Sequence, residues 1–118
     1  MLTLVIGAST NPRRFSHMAI NKLIEHGHEV VALGSSKGFV GSVKIETDKL
    51  PFKNIHTITL YLNPERQMEY YGYLLSLHPK RIVFNPGTEN QELFKLAKEA
   101  GIEVVFDCTL VMLMNNRY

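Results

Sequence analysis

The sequence predicts one doubly wound α/β domain, with a mainly parallel sheet of five strands and helices on both faces. Short apolar runs of β type alternate with segments of helical period, and the runs are almost continuously apolar, as suits strands covered on both sides. Chain size agrees. At 118 residues, 45% apolar and 20% charged, the chain fills one domain, residues 1–118, and is too short for separate catalytic and cofactor domains.

Strands are expected at residues 2–6, 29–33, 57–62, 81–84 and 103–106. Ser16 is placed to cap a first helix with Ile20, Leu23 and Ile24 facing inward, Lys22 and His26 near its negative end, and Gly27 as terminator. Asn63 and Pro64 read as cap and first residue of another helix, whose buried stripe is Met68, Tyr71, Leu74 and Leu75. A last clear helix carries capping-box spacing at Thr88 and Gln91, a stripe of Leu93, Leu96, Ala97 and Ala100, and a stop at Gly101. The stretch 34–56 is the least regular; a short extended piece is expected at 43–45 and a turn of helix before Pro51. The apolar segment 110–114 is expected to pack back on the sheet or to form a subunit contact, which leaves a homo-oligomer open.

Charge and cysteine content remove several function classes. Thirteen Lys and Arg against eleven Asp and Glu leave a net +2, too little for bulk attraction to nucleic acid, so any anion site must be local. No apolar run approaches a membrane span, and residues 2–6 are too short for a signal-peptide core, so a cytoplasmic protein without membrane contact is expected. Cys108 stands alone, which excludes an internal disulfide, and no His or Cys set has metal-ligand spacing; no metal site is expected.

In an open parallel sheet, ligands bind beyond the carboxyl ends of the strands, where helix N-termini and their amides converge. The first such loop is Gly7-Ala8-Ser9-Thr10-Asn11-Pro12-Arg13-Arg14-Phe15-Ser16. Gly7 permits a sharp turn, and small Ala8 and Ser9 leave room for a phosphate, although the three glycines of the dinucleotide fingerprint are missing. After the second strand stands Gly34-Ser35-Ser36-Lys37, where a protein that reads free ribose hydroxyls would present an acid. Two hydroxyls and a cation favour a phosphorylated ribose, as in NADP or coenzyme A. Arg13 and Arg14 lie on the same predicted edge as Lys37, with at most one of the two arginines expected to touch ligand. Asn85-Pro86-Gly87-Thr88 places a rigid turn before a capped helix, where backbone can approach a flat group or a pantetheine-like chain.

Catalytic groups are not evident. Cys108 and His17 invite a nucleophile reading, but no third group orients them, and the adjacent Asp107 would raise the thiol pKa.

Taken together, Val5-Ile6-Gly7-Ala8-Ser9-Thr10-Asn11-Pro12 with Ser16, His26-Gly27-His28-Glu29-Val30, Leu62-Asn63-Pro64-Glu65, Asn85-Pro86-Gly87-Thr88-Glu89-Asn90 and the run from Ala100 to Cys108 resemble a known family. It is that of small stand-alone CoA-binding proteins, whose Rossmann-like domain is similar to the nucleotide-binding domain of succinyl-CoA ligase α subunits. The resemblance implies coenzyme A or an acyl-CoA lying across the strand ends. Gly7, Ser9 and Asn11 would stand near phosphates, Lys37 near the adenosine phosphate, and Asn63, Pro64 and Gly87 along the remainder. Gly34-Ser35 replaces the family's Asn-Pro pair after the second strand. The ligase's phosphohistidine domain has no counterpart, so the resemblance implies binding without turnover. The expected binding set is Gly7, Ala8, Ser9, Asn11, Arg13, Arg14, Ser16, Gly34, Ser35, Lys37, Asn63, Pro64, Asn85 and Gly87. Two other readings remain at this point: an NADP-binding oxidoreductase or redox-sensing module, and an interaction scaffold with an empty nucleotide pocket.

Overall fold

Strand β1 (Leu2–Ala8) shows why the apolar runs are continuous: Leu4 and Ile6 enter one core cluster, while Val5 and Ala8 enter another on the opposite face. In a computed structural model describing residues 1–118, β1 lies at the centre of a sheet ordered β3-β4-β2-β1-β5-β6-β7. Its other members are β2 (Glu29–Gly34), β3 (Gly38–Val40), β4 (Val43–Glu46), β5 (Thr57–Leu60), β6 (Arg81–Phe84) and β7 (Glu103–Phe106). All pairings are parallel except β3 with β4. The sheet is thus doubly wound and mostly parallel, with seven strands where five are expected.

Both additions come from the irregular stretch. The expected extended piece is β4, which pairs with β2 through Ala32↔Ile45, and Gly41, at φ +59°, turns the chain from the three-residue β3 back antiparallel into β4. The expected turn of helix before Pro51 does not form. Leu50 precedes a proline, which disfavours helical backbone, and Leu50 N–H and Phe52 N–H instead donate to the carbonyls of Asp48 and Leu50, at 2.9 Å each. Phe52 and Ile55 then cover the sheet where a helix would otherwise lie.

Helix α1 (Phe15–Glu25) and the C-terminal α5 (Thr109–Met114) cover one face, with Ile20, Leu23 and Leu113 in the same cluster as Val5. The apolar C-terminal segment therefore packs back on the sheet through Met112 and Leu113, while Val111 and Met114 stay exposed. The other face carries α3 (Tyr71–Ser76) and α4 (Gln91–Glu99), through Leu74, Leu93 and Ala97. Between β5 and α3 lie α2 (Pro64–Gln67) and a 3-10 turn, Met68–Tyr70. That break rotates the helical face, so Met68, expected in the buried stripe, is 60% exposed. Ile24, also expected inward, is exposed in the last turn of α1. No helix is long and apolar enough to cross a membrane.

Two caps differ from expectation. Arg14, in extended backbone, precedes α1 and leaves Ser16 buried in the first turn. At α4 the cap is Asn90, whose Oδ1 accepts from the amides of Glu92 and Leu93, while Thr88 turns its hydroxyl back to the Asn85 carbonyl at 2.7 Å.

At the opposite rim, the amino-terminal ends of the strands gather cations. Arg81 Nε donates to Thr57 Oγ1 at 2.8 Å, and its guanidinium lies 4.5 Å from the Tyr118 ring centre. Burial first, then the amino terminus, His26, Arg81 and His56, lowers the pKa of His28; burial, then Arg81 and Lys80, lowers that of His56. Both imidazoles are thus harder to protonate when folded, so protons bound by the unfolded chain below about pH 6.5 draw the equilibrium toward unfolding. Chemical denaturation is expected to show stability falling from about pH 7 to about pH 5, with a smaller fall in a His28→Gln/His56→Gln variant. Glycine contacts give a second expectation. A Cβ on Gly34 would strike the Ala8 carbonyl, whereas one on Gly101, at φ +77°, meets nothing within 4 Å. Denaturant titration should show a loss of about 2–3 kcal/mol for Gly34→Ala and about 1 kcal/mol for Gly101→Ala.

Candidate functional site

Crossovers leave β1 toward β2 on one side and return to β5 on the other, which opens a crevice beyond the carboxyl end of β1. Gly7 makes that crevice. At φ +93° it bends the chain so tightly that a Cβ would lie 2.8 Å from the Tyr61 carbonyl oxygen, and the β1–β2 register shifts between Ile6 and Ala8. Beyond it the loop braces itself. Ser9 Oγ accepts from Asn11 N–H and Asn11 Oδ1 from Arg13 N–H, both at 3.0 Å, and the Ser9 carbonyl lies 3.0 Å from His17 Nδ1. The chain then enters the N-terminus of the eleven-residue α1 beside the crevice.

The second wall descends from β5. Asn63 caps α2 by accepting from Arg66 N–H at 2.9 Å, and Pro64 occupies the first helical position. The third wall is the turn Pro86-Gly87-Thr88, where Gly87 adopts φ +90° and its N–H donates to Glu89 Oε1 at 2.9 Å. Beneath lies Asn85, 3% exposed. Its Nδ2 donates to Thr59 Oγ1 at 2.7 Å and to the Leu60 carbonyl at 2.8 Å, and its Oδ1 accepts from Thr109 N–H at 2.8 Å.

The resulting cleft measures about 340 Å³ and has fourteen lining residues, of which Arg14 and Arg66 are the only charged ones. Two cations, a helix N-terminus and the Ser9, Ser16 and Ser35 hydroxyls suit an anionic ligand. Tyr61 and Leu62 supply an apolar side; the Tyr61 hydroxyl is buried without a hydrogen-bond partner, and burial raises its pKa far above the usual phenol value.

Of the expected set, the structure brings Gly7, Ala8, Ser9, Arg14, Ser16, Ser35, Asn63 and Gly87 to this lining. The rest stand elsewhere. Asn11 is spent on the loop's own turn, and Arg13 is exposed outside the lining, so one arginine of the pair reaches the cleft. Gly34 is buried in the sheet against Ala8, Pro64 starts α2, and Asn85 lies below the floor. Lys37 is exposed at the rim, between Ser35 in the lining and Gly38, whose α-carbon abuts the Thr10 methyl. Six lining residues lie outside that set: Pro86 and Thr88, within a turn the sequence already singles out, and Phe15, Tyr61, Leu62 and Arg66, which sequence reasoning missed. Phe15, 67% exposed beside Arg14, and Arg66, in the first turn after an Asn-Pro cap at the strand-end edge, were both findable by position. Cys108 stands outside the lining, its N–H donating to Asp107 Oδ1 at 2.7 Å. Arg117, bonded to the other oxygen of Asp107, and that N–H lower the carboxyl pKa. No group of three His, Cys, Asp or Glu side chains is placed to hold a metal ion.

Fold and cleft together define a Rossmann-like module with a crevice at its switch point whose charged lining is cationic. The chain belongs to the CoA binding domain family, which matches residues 2–114. Among solved structures, it is 44% identical to a protein described only as uncharacterized, covering 99% of this chain and 97% of that one with a TM-score of 0.97. A hypothetical protein from Pyrococcus horikoshii is 26% identical over 97% of this chain and 81% of its own, at a TM-score of 0.85. A dinucleotide-forming acetyl-coenzyme A synthetase of Ca. Korarchaeum cryptofilum, solved with phosphate and ADP, shares the fold at 16% identity. This chain covers 25% of that enzyme, with 90% of its own length aligned at a TM-score of 0.73. No curated protein matches.

Asn85 gives this site its structural test. Removing its amide leaves buried partners on β5 and at the start of α5 unsatisfied, so Asn85→Ala should lower unfolding free energy by about 2–4 kcal/mol in urea titration.

Proposed function

We propose that the chain binds coenzyme A or an acyl-CoA in this cleft and holds it without turning it over. The single observation that carries the reading is the pairing of Arg14 and Arg66 in a cleft whose lining contains no Asp or Glu, in a chain of the CoA binding domain family. The diphosphate lies against the Gly7–Ser9 turn and the N-terminus of α1, between the two guanidinium groups. The adenosine end runs out past Ser35, where Lys37 meets the ribose phosphate from the rim, and the pantetheine chain passes Asn63 and Gly87. Serines and arginines can grip and orient such a ligand. The lining holds no His, Cys or Lys that would titrate or attack near neutral pH, which supports binding over acyl transfer.

Isothermal titration tests the assignment. Coenzyme A is expected to bind and to raise the melting temperature by mass action, while heat and a melting shift with NADP alone would contradict the reading. Within it, Arg14→Ala and Arg66→Ala should each weaken coenzyme A and dephospho-CoA alike, by about tenfold. Lys37→Ala should weaken coenzyme A more than dephospho-CoA; equal losses would remove the rim contact.

A further inference from the structure

Behind the cleft, the side chain of Gln67, fully buried at the end of α2, has every amide hydrogen-bonding group engaged. Its Nε2 donates to the carbonyls of Leu62 and Thr88, at 2.8 Å each, and its Oε1 accepts from Asn90 Nδ2 at 3.0 Å. Carbonyl oxygens only accept, so these partners dictate the amide's orientation. Asn90 in turn caps α4 and donates to the Tyr71 hydroxyl at 2.7 Å. Leu62 and Thr88 belong to two different walls of the cleft, and Arg66 is the neighbour of Gln67 in sequence. No backbone ladder joins these walls beyond the strand ends, since β5 and β6 stop pairing at Leu60↔Phe84.

We propose that Gln67 is the positioning residue of the ligand site: its amide ties the β5–α2 wall to the β6–α4 wall and so sets the spacing at which Arg66 and Gly87 face a bound molecule. This rests on the binding reading above. A ligand that touches both walls gains from a spacing already set, because the order it needs is present before it arrives. A side chain of equal length without the two donors, as in Gln67→Met, leaves the two carbonyls unpaired and the walls free to separate. In Gln67→Glu, an ionised carboxylate would point acceptor lone pairs at two carbonyl oxygens, whereas its protonated form can donate to one of them. Burial among acceptors lifts the pKa of such a carboxyl above the ordinary value near 4.3, so mild acid restores part of the tie.

The test titrates coenzyme A calorimetrically into wild type, Gln67→Met and Gln67→Glu, each confirmed folded by a cooperative melt, at about pH 5 and about pH 8. Gln67→Met is expected to bind about tenfold more weakly than wild type at both pH values. Gln67→Glu should match that loss at the higher pH and recover part of it at the lower one, measured against wild type at the same pH. Folded variants that melt lower but bind as wild type does would overturn the proposal, as would a Gln67→Glu deficit that ignores pH. If wild type itself fails to bind coenzyme A, the functional reading falls and this inference with it; wild-type binding with unaffected variants sinks the inference alone.

Discussion

Close approach of backbone to backbone at the end of β1 is the constraint on which the site depends. Gly7 presses against the Tyr61 carbonyl and Gly34 against that of Ala8, so the central strand can end, turn and release its loop between β2 and β5. Any larger residue at either position would push the flanking strands apart at the point where the chain reverses its winding. The crevice exists because those two contacts are tight, and its floor holds because Asn85 joins β5, β6 and α5 from below.

Polar order in this protein is concentrated around that crevice. Asn11, Asn63, Asn85 and Asn90 each hold a turn or cap a helix beside the cleft, and Gln67 connects one wall to the other. Short amide side chains suit the task because they accept and donate without bringing a charge that would compete with an anion. The charges that do reach the cleft are both cationic, and the acid nearest by sequence to the third wall, Glu89, is engaged by the Gly87 amide.

How far the sequence could be read depended on the physics of each segment. Strands β1, β5 and β6 were legible because burial on both faces leaves nearly unbroken apolar runs, and β2 and β7, less buried, carry the same kind of run. Strand β3 was not: three residues beginning with glycine carry no period, and only pairing with β4 makes them a strand. At α4 two capping residues stood near the boundary, and Asn90 took the cap while Thr88 bonds the Asn85 carbonyl; α1 starts from an extended Arg14 with no side-chain cap at all. Eight of the fourteen expected binding residues reach the cleft, because loops after parallel strands converge on one edge whatever their details. Some of the others stand off the lining because they serve the scaffold: Asn11 holds its own loop, Asn85 pins β5 and the start of α5, and Gly34 packs within the sheet against Ala8. Arg66 was legible from its place in the first turn after the Asn63-Pro64 cap, whereas the break between α2 and α3 is announced by no periodicity.

The most direct measurement is an amide NMR titration of the folded chain with coenzyme A. Saturable shifts confined to residues 7–9, 14–16, 35–37, 61–67 and 86–88 are the predicted result, with the opposite rim around His28 and Tyr118 unchanged. Saturable shifts centred on that opposite rim, or none at ligand concentrations that saturate CoA-binding domains, would contradict the account.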